Sequence, residues 1–469
     1  MRQVETDYLV VGAGASGMAF VDTLIAETDA DVVMVDRRHR PGGHWVDGYP
    51  FLRLHQASAC YGVNSRMLGG DRIDESGPNA GFYERATAAE MSDYYTRVLE
   101  EHLLPSGQVR FYGMSDYRGN GSDGHHFVST LTGETTTVKV RRKFVDATYT
   151  ESSIPSKHTP AFEVDAGVRL LTPNDLVDLA EPATGYTILG AGKTSMDTCV
   201  WLLEQGVAPD RIRWIRPRDP WIIDRAYTQP RELVGSFLEF YSRMVEAAAE
   251  AESGPDAFRR LEAHGVFARL DPDVEPDVFR GATLSALELE SLRQISGVVR
   301  LGKVRRIGTG RITLDDGSIP SDPRQVYVDC TAAGLNIAPV RPIFERDRIT
   351  MQFITLGIAP WSAATLGFVE AAREDDEDKN RLCPPVAFTG EASDPPWALY
   401  NGFRSAGLRM AEPDIVAWNE GSRLNPMRGA NDRADDPLVQ AGFMRFATNM
   451  EPALANLARL LGLKEEVAT

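Results

Sequence analysis

Two short runs in this chain space small residues as main-chain recognition of a phosphate requires. Gly12-Ala13-Gly14-Ala15-Ser16-Gly17 reads G-x-G-x-x-G, and Gly190-Ala191-Gly192-Lys193-Thr194-Ser195 repeats it with Ser195 in the third glycine's place. In such a turn the first glycine allows the tight bend and the second lets backbone approach a pyrophosphate. The third lets the following helix pack against the preceding strand. Amides at the helix start, with the helix dipole behind them, then attract the anion.

The second run admits a rival reading, because Gly192-Lys193-Thr194 has the ending of an ATPase phosphate loop. That loop needs G-x-x-x-x-G-K-[ST], and its first glycine would fall at position 187, which is Thr187. No partner strand ending in a magnesium-binding aspartate follows closely either, so the dinucleotide reading stands.

The elements needed to position both turns are legible. Tyr8-Leu9-Val10-Val11 is a continuous apolar run, as in a parallel strand covered on both faces. Met18, Val21, Leu24 and Ile25 recur at helical spacing after the first turn, and Val32–Val35 forms a second strand ending at Asp36. An acid there, nineteen residues past Gly17, accepts hydrogen bonds from a ribose diol. Tyr186–Leu189 is the strand before the second turn, and its helix runs through Cys199, Leu202 and Leu203 to Gly206. The next strand, Ile212–Ile215, ends in Arg216 and Arg218 rather than an acid. Guanidinium groups there can pair bidentately with a ribose 2′-phosphate, which favours NADPH over NADH.

Further motifs carry a family resemblance. Arg37–Trp45 (RRHRPGGHW) resembles the acid…GGxW stretch of FAD-dependent monooxygenases, whose glycine pair lies along the FAD. Both this stretch and the Arg-x-Arg-x-x-Trp run through Trp221 are similar to class B flavin-dependent monooxygenases, the superfamily of flavin-containing and Baeyer–Villiger enzymes. The order of the two turns agrees as well. The resemblance implies an α/β fold of two Rossmann-like dinucleotide-binding domains, the glutathione-reductase-like arrangement, with a helical insertion. FAD would bind over residues 1–160 and 330–469, through Gly12, Gly14, Gly17, Asp36, Arg37, Gly43, His44 and Trp45. NADPH would bind over 161–329, through Gly190, Gly192, Lys193, Thr194, Ser195, Arg216 and Arg218. It further implies oxygen insertion from O₂ into a small organic substrate through a flavin hydroperoxide.

The resemblance also marks departures. Tyr49, Pro50 and Arg53 match a Baeyer–Villiger segment, but Phe51 replaces its glycine and His55 stands where that family has an aspartate. The Baeyer–Villiger signature before the second turn is absent from SKHTPAFEVDAGVRLL. Hydroxylation or heteroatom oxygenation is therefore expected ahead of ester formation, with an oxidase or reductase as the alternative and a non-catalytic flavoprotein scaffold as a more distant one. Asn64, His55 and Gln56, on the stretch following GGHW, are the candidate catalytic residues. Asn64 resembles the active-site asparagine of flavin-containing monooxygenases. It can equally be a turn residue after Gly62, and His55 a structural histidine.

Composition bounds the rest. Among 469 residues, Lys plus Arg is 50 and Asp plus Glu 67, a formal charge of −17, which disfavours nucleic acid and anionic membrane as partners. Four dispersed cysteines, Cys60, Cys199, Cys330 and Cys383, form no metal module or disulfide framework. Cys60 has no neighbour for a dithiol relay. No signal-peptide layout or apolar run of spanning length is present, so a cytoplasmic protein is expected. Thr87 with Glu90 predicts a capping box, and residues 125–148 a strand, a turn at Gly133 and two further strands. Residues 231–296 read as a helical insertion over the second domain, either a cover or a substrate wall, and Arg373–Lys379 as a solvated loop. Oligomeric state and substrate have no signature here.

Overall fold

The computed structural model describes residues 2–119, 124–355, 357–386, 390–391 and 395–463. β1 (Arg2–Val11) leads through the first turn into α1 (Ala15–Glu27) and back to β2 (Val32–Val35). Across the sheet the parallel strands run 348–350, 135–146, β1, β2, 109–112. Tyr8, Leu9 and Val10 are buried on both faces, which explains why the apolar run is continuous rather than alternating.

A second parallel sheet contains β3 (Tyr186–Leu189), followed by α2 (Lys193–Glu204) and β4 (Ile212–Ile215). Its order is 297–299, β4, β3, 326–329, 169–171. All its strands fall between two strands of the first sheet, so one Rossmann unit is inserted into the other. The crossings touch: Ser152–Ser153 pairs antiparallel with Gly334–Leu335. An antiparallel meander, Val304–Ile307, Arg311–Leu314 and Gly317–Pro320, flanks the second unit. No described helix is long and apolar enough to cross a membrane.

Three local readings change. Residues 135–146 form one long strand, because β1 pairs along its length from Thr136 to Asp146. The charged run at 373–379 is not a loop. Asp375 caps a helix over Asp376–Leu382, and buried Lys379 donates to Glu370 at 2.7 Å. Glu370 in turn accepts from Tyr8 Oη at 2.9 Å, so Lys379 belongs to the interior, while Glu374, Asp375 and Glu377 stay exposed. The segment 231–296 divides its packing. Its last helix, Ala286–Arg293, packs Leu289 and Leu292 into the core of α2. Its longest, α3 (Val234–Glu250), instead lies on α4 (Pro437–Leu460). A Cβ at Gly442 would stand 2.6 Å from Leu238 Cγ, so the absent side chain permits this approach, and Arg445 pairs with Glu239 across it.

Candidate functional site

At the first turn Gly12 has φ +102°, and a Cβ on Gly17 would lie 2.0 Å from Gly12 O. The third glycine is thus a packing requirement. α1 starts at Gly14 without a side-chain cap, which leaves its first amides for an anion. Asp36 is buried at the end of β2. Its Oδ2 accepts from Ala13 N at 2.7 Å and its Oδ1 from Arg38 N at 2.8 Å, and each oxygen keeps a further lone pair. The glycine pair folds back onto this turn: Gly42 N donates to Ala13 O, and a Cβ on Gly43 would stand 2.8 Å from Gly14 Cα. Trp45 is buried and donates to Tyr61 Oη at 3.2 Å. His44 stacks obliquely on Trp45, and burial together with Arg38 holds its pKa down at about 4, so the ring is neutral near pH 7. Arg37 points outward and pairs with Glu151. The cradle of bare amides, glycine faces and a buried acid fits an adenine dinucleotide.

The second turn repeats this geometry. Gly190 has φ +114° and a Cβ there would meet Cys330 O at 2.7 Å, whereas a Cβ on Gly192 would meet nothing within 4 Å. Ser195 is fully buried and its Oγ donates to Gly192 O at 2.7 Å, so serine closes the turn where glycine would otherwise pack. Lys193 does not extend over the turn but pairs with Asp197 one helical turn on. The arginines after β4 differ from the sequence expectation. Arg216 is buried, paired with Asp219 at 2.9 Å and set 4.8 Å over the Trp214 ring. Arg218 is the partly exposed one and is held by Asp277 and Glu391. Any incoming phosphate would therefore have to compete with carboxylates already in place. Within Val386–Ala392 (VAFTGEA), a stretch that resembles a flavin-contacting strand, residues 387–389 and 392 lie outside the described residues.

Polar contacts tie the segment after GGHW to the second unit. Tyr49 Oη donates to Asp197 Oδ2 at 2.7 Å, tying the segment after GGHW to α2. Burial, reinforced by Asp197, keeps the Tyr49 phenol far above its ordinary pKa, so it remains a donor. Beyond it Glu288 bridges Arg225, at 2.6 Å, and Arg85, at 3.1 Å, with all three buried. Burial opposes ionising Glu288, but Arg225, Lys193 and Arg85 together outweigh it and hold the carboxyl at about 2. Arg225 Nε and Nη1 and Arg85 Nε find no acceptor among the described residues. His55 belongs to this neighbourhood. Burial and then Lys193 press its pKa to about 3, so it is a neutral ring near pH 7. Tyr49→Phe should remove a hydrogen bond to a charged group and lower unfolding free energy by about 1.5–3 kcal/mol, read by urea denaturation.

His55 and Asn64 are directed to different partners. His55 faces the second unit, while Asn64 Oδ1 accepts from Ser422 Oγ at 2.8 Å in the C-terminal part. Gln56 follows His55, half-buried. The loop between them is held by Arg423, which donates to Tyr61 O and Val63 O at 2.8 and 2.7 Å and to Ser58 O and Ala59 O at 3.4 and 3.2 Å. Burial raises the Cys60 thiol on this loop to about 12, so it is no nucleophile at neutral pH. Arg85, Arg225, Glu288 and Arg423 have no motif. Ser285-x-x-Glu288 does read as a capping box, and the structure has one, yet that spacing says nothing of the two arginines.

These features define an α/β protein of two Rossmann-like units, and comparison with known proteins places it further. A family model described as an NAD(P)-binding Rossmann-like domain matches residues 10–50. The uncharacterized protein Rv2000 of Mycobacterium tuberculosis (strain ATCC 25618 / H37Rv) is 45% identical over 425 residues, 90% of this chain and 78% of that protein. The uncharacterized protein Mb2023 of Mycobacterium bovis (strain ATCC BAA-935 / AF2122/97) matches with the same values. The chain belongs to the family of these mycobacterial proteins. Among solved structures, a flavin-containing monooxygenase from Stenotrophomonas maltophilia is similar at 14% identity and TM-score 0.44, over 81% of this chain and 99% of that one. A cyclohexanone monooxygenase in its closed form is similar at 13% and 0.47, over 96% and 99%. A steroid monooxygenase bound to NADP is similar at 12% and 0.49, over 78% and 85%.

Proposed function

We propose that this protein is an FAD- and NADPH-dependent monooxygenase acting on a small organic molecule with O₂. The observation that carries the reading is the pair of uncapped, glycine-faced helix starts at Gly14 and Gly192, one Rossmann unit set inside the other. FAD would be held by the amides at the start of α1, the Gly42-Gly43 backbone and Asp36, and NADPH by the start of α2. When bound, the flavin supplies the electron transfer and oxygen chemistry that no side chain can provide. The chain's own part is orientation and shielding. Tyr49 and Asp197 fix α2 against the segment after GGHW, and Arg423 fixes the loop carrying Asn64. Asn64 Nδ2 has no acceptor among the described residues and remains a donor. Neutral His55 can donate one proton and accept another, a role distinct from that of the aspartate for which it stands. That difference supports hydroxylation or heteroatom oxygenation over ester formation.

The purified protein should be yellow, or become so with FAD, and should oxidise NADPH. A preparation that FAD cannot reconstitute overturns the reading. Mixing reduced enzyme with O₂ in a stopped-flow spectrometer separates the alternatives. A transient band unlike oxidised or reduced flavin supports a monooxygenase, while direct return to the oxidised spectrum supports an oxidase. Arg218→Ala should weaken NADPH by about tenfold to a hundredfold, the worth of charge-assisted hydrogen bonds, and leave NADH nearly unchanged. Equal KM changes for the two nucleotides would place the 2′-phosphate elsewhere.

A further inference from the structure

A cleft of about 740 Å³ opens beside the loop that carries Cys60, in the size range of small-molecule sites. Three separate parts of the chain build it: the 59–71 segment, Arg231 and Glu232 ahead of α3, and residues 423–433. Its wall is apolar along Ala59, Cys60 and Met67, and Met67 is 53% exposed. Its lining brings together four arginines, Arg231, Arg423, Arg428 and Arg433, against three carboxylates, Asp71, Glu232 and Asp432, in a chain whose formal charge is −17.

The four arginines are not equivalent. Arg423 spends its donors on loop carbonyls, and Arg231 pairs with Asp71. Arg428 and Arg433 have no carboxylate within ion-pair distance among the described residues, so their planar donor faces are free for an anion.

Backbone conformation also singles out this place. Only three described non-glycine residues have positive φ, and two of them are the ion-paired Asp71, at 53°, and Arg231, at 58°. L-residues rarely occupy that region, and such outliers gather where a ligand is held. The pair is poorly arranged as a purely structural bridge, because Asp71 Oδ1 is buried without a donor.

We propose that this cleft binds a small organic carboxylic acid, its carboxylate on Arg428 and Arg433 and its hydrocarbon part along Ala59, Cys60 and Met67. Taking that acid as the substrate rests on the monooxygenase reading above; its binding does not. The 59–64 loop that supplies Ala59 and Cys60 to the cleft wall also carries Asn64.

Calorimetric titration of the full chain with octanoate, octanamide and inorganic phosphate tests this. Octanoate should saturate one site per chain, with octanamide at least tenfold weaker because it has the same hydrocarbon length and no charge. R428Q/R433Q should weaken octanoate at least tenfold while leaving the thermal midpoint and flavin absorbance unchanged. Equal affinity for octanoate and octanamide, or undiminished octanoate binding by the double variant, overturns the proposal. So does phosphate binding tighter than octanoate, which would mark a phosphate site. A protein that binds octanoate through these arginines but takes up no FAD would sink the monooxygenase reading and leave the acid site standing.

Discussion

Gly17→Ala should give a colourless and destabilised protein. The added methyl would sit 2.0 Å from Gly12 O, and that oxygen belongs to the turn itself rather than to a movable side chain. α1 must therefore slide away from β1, which separates the helix-start amides from the bend that aims them. Overpacking of this kind costs about 1–3 kcal/mol, at times more. Gly14→Ala provides the contrast. Its Cβ would meet only Gly43, Cα at 3.5 Å and N at 3.9 Å, both ordinary contacts. The fold should persist while the methyl covers the surface a pyrophosphate would use. Flavin content by absorbance and the thermal midpoint by calorimetry separate the two effects. Gly17→Ala should lose both, and Gly14→Ala flavin alone. Full retention of flavin by Gly14→Ala would show that the cofactor does not lie on this turn.

Glu288→Gln should be the most damaging single change away from the turns. Glu288 is the one carboxylate directly paired with both Arg85 and Arg225, and Arg225 is fully buried with two of its nitrogens already lacking acceptors. Breaking a buried pair by removing one partner costs about 3–5 kcal/mol, because the remaining charge stays desolvated. The pH dependence follows in sign. The folded-state value, about 2, lies below the ordinary 4.5, so the carboxylate's stabilisation is complete above about pH 4.5 and is lost as pH falls toward 2. Urea unfolding at a series of pH values should show wild-type stability falling through that window and the variant's falling less. Identical slopes would mean that Glu288 is already protonated or unpaired in the folded protein.

Much of the scaffold was legible because it rests on short-range rules. A strand covered on both faces must be apolar throughout, a helix closing onto it needs a residue without bulk, and an acid at the next strand's end must be buried to meet the turn. β1, α1 and β2 follow from these rules, and β3 and α2 repeat them. Spacing also identified the capping box at Thr87. The charged run at 373–379 failed the same kind of reading, because charge alone cannot tell a solvated loop from a helix whose Lys379 has a buried partner on another helix.

The sequence by itself determined two phosphate-ready turns, the order of their strands and the acid at Asp36, since each lies within a few residues of what constrains it. Only the tertiary structure decided which charges face which. Arg216 turns inward to Asp219 and Trp214, Arg85 and Arg225 converge on Glu288, and Arg428 and Arg433 are left free at a cleft rim. Those outcomes depend on which segments the insertion of one unit into the other brings together. The 203 residues between Arg85 and Glu288 leave no periodicity along the chain from which their meeting could be inferred.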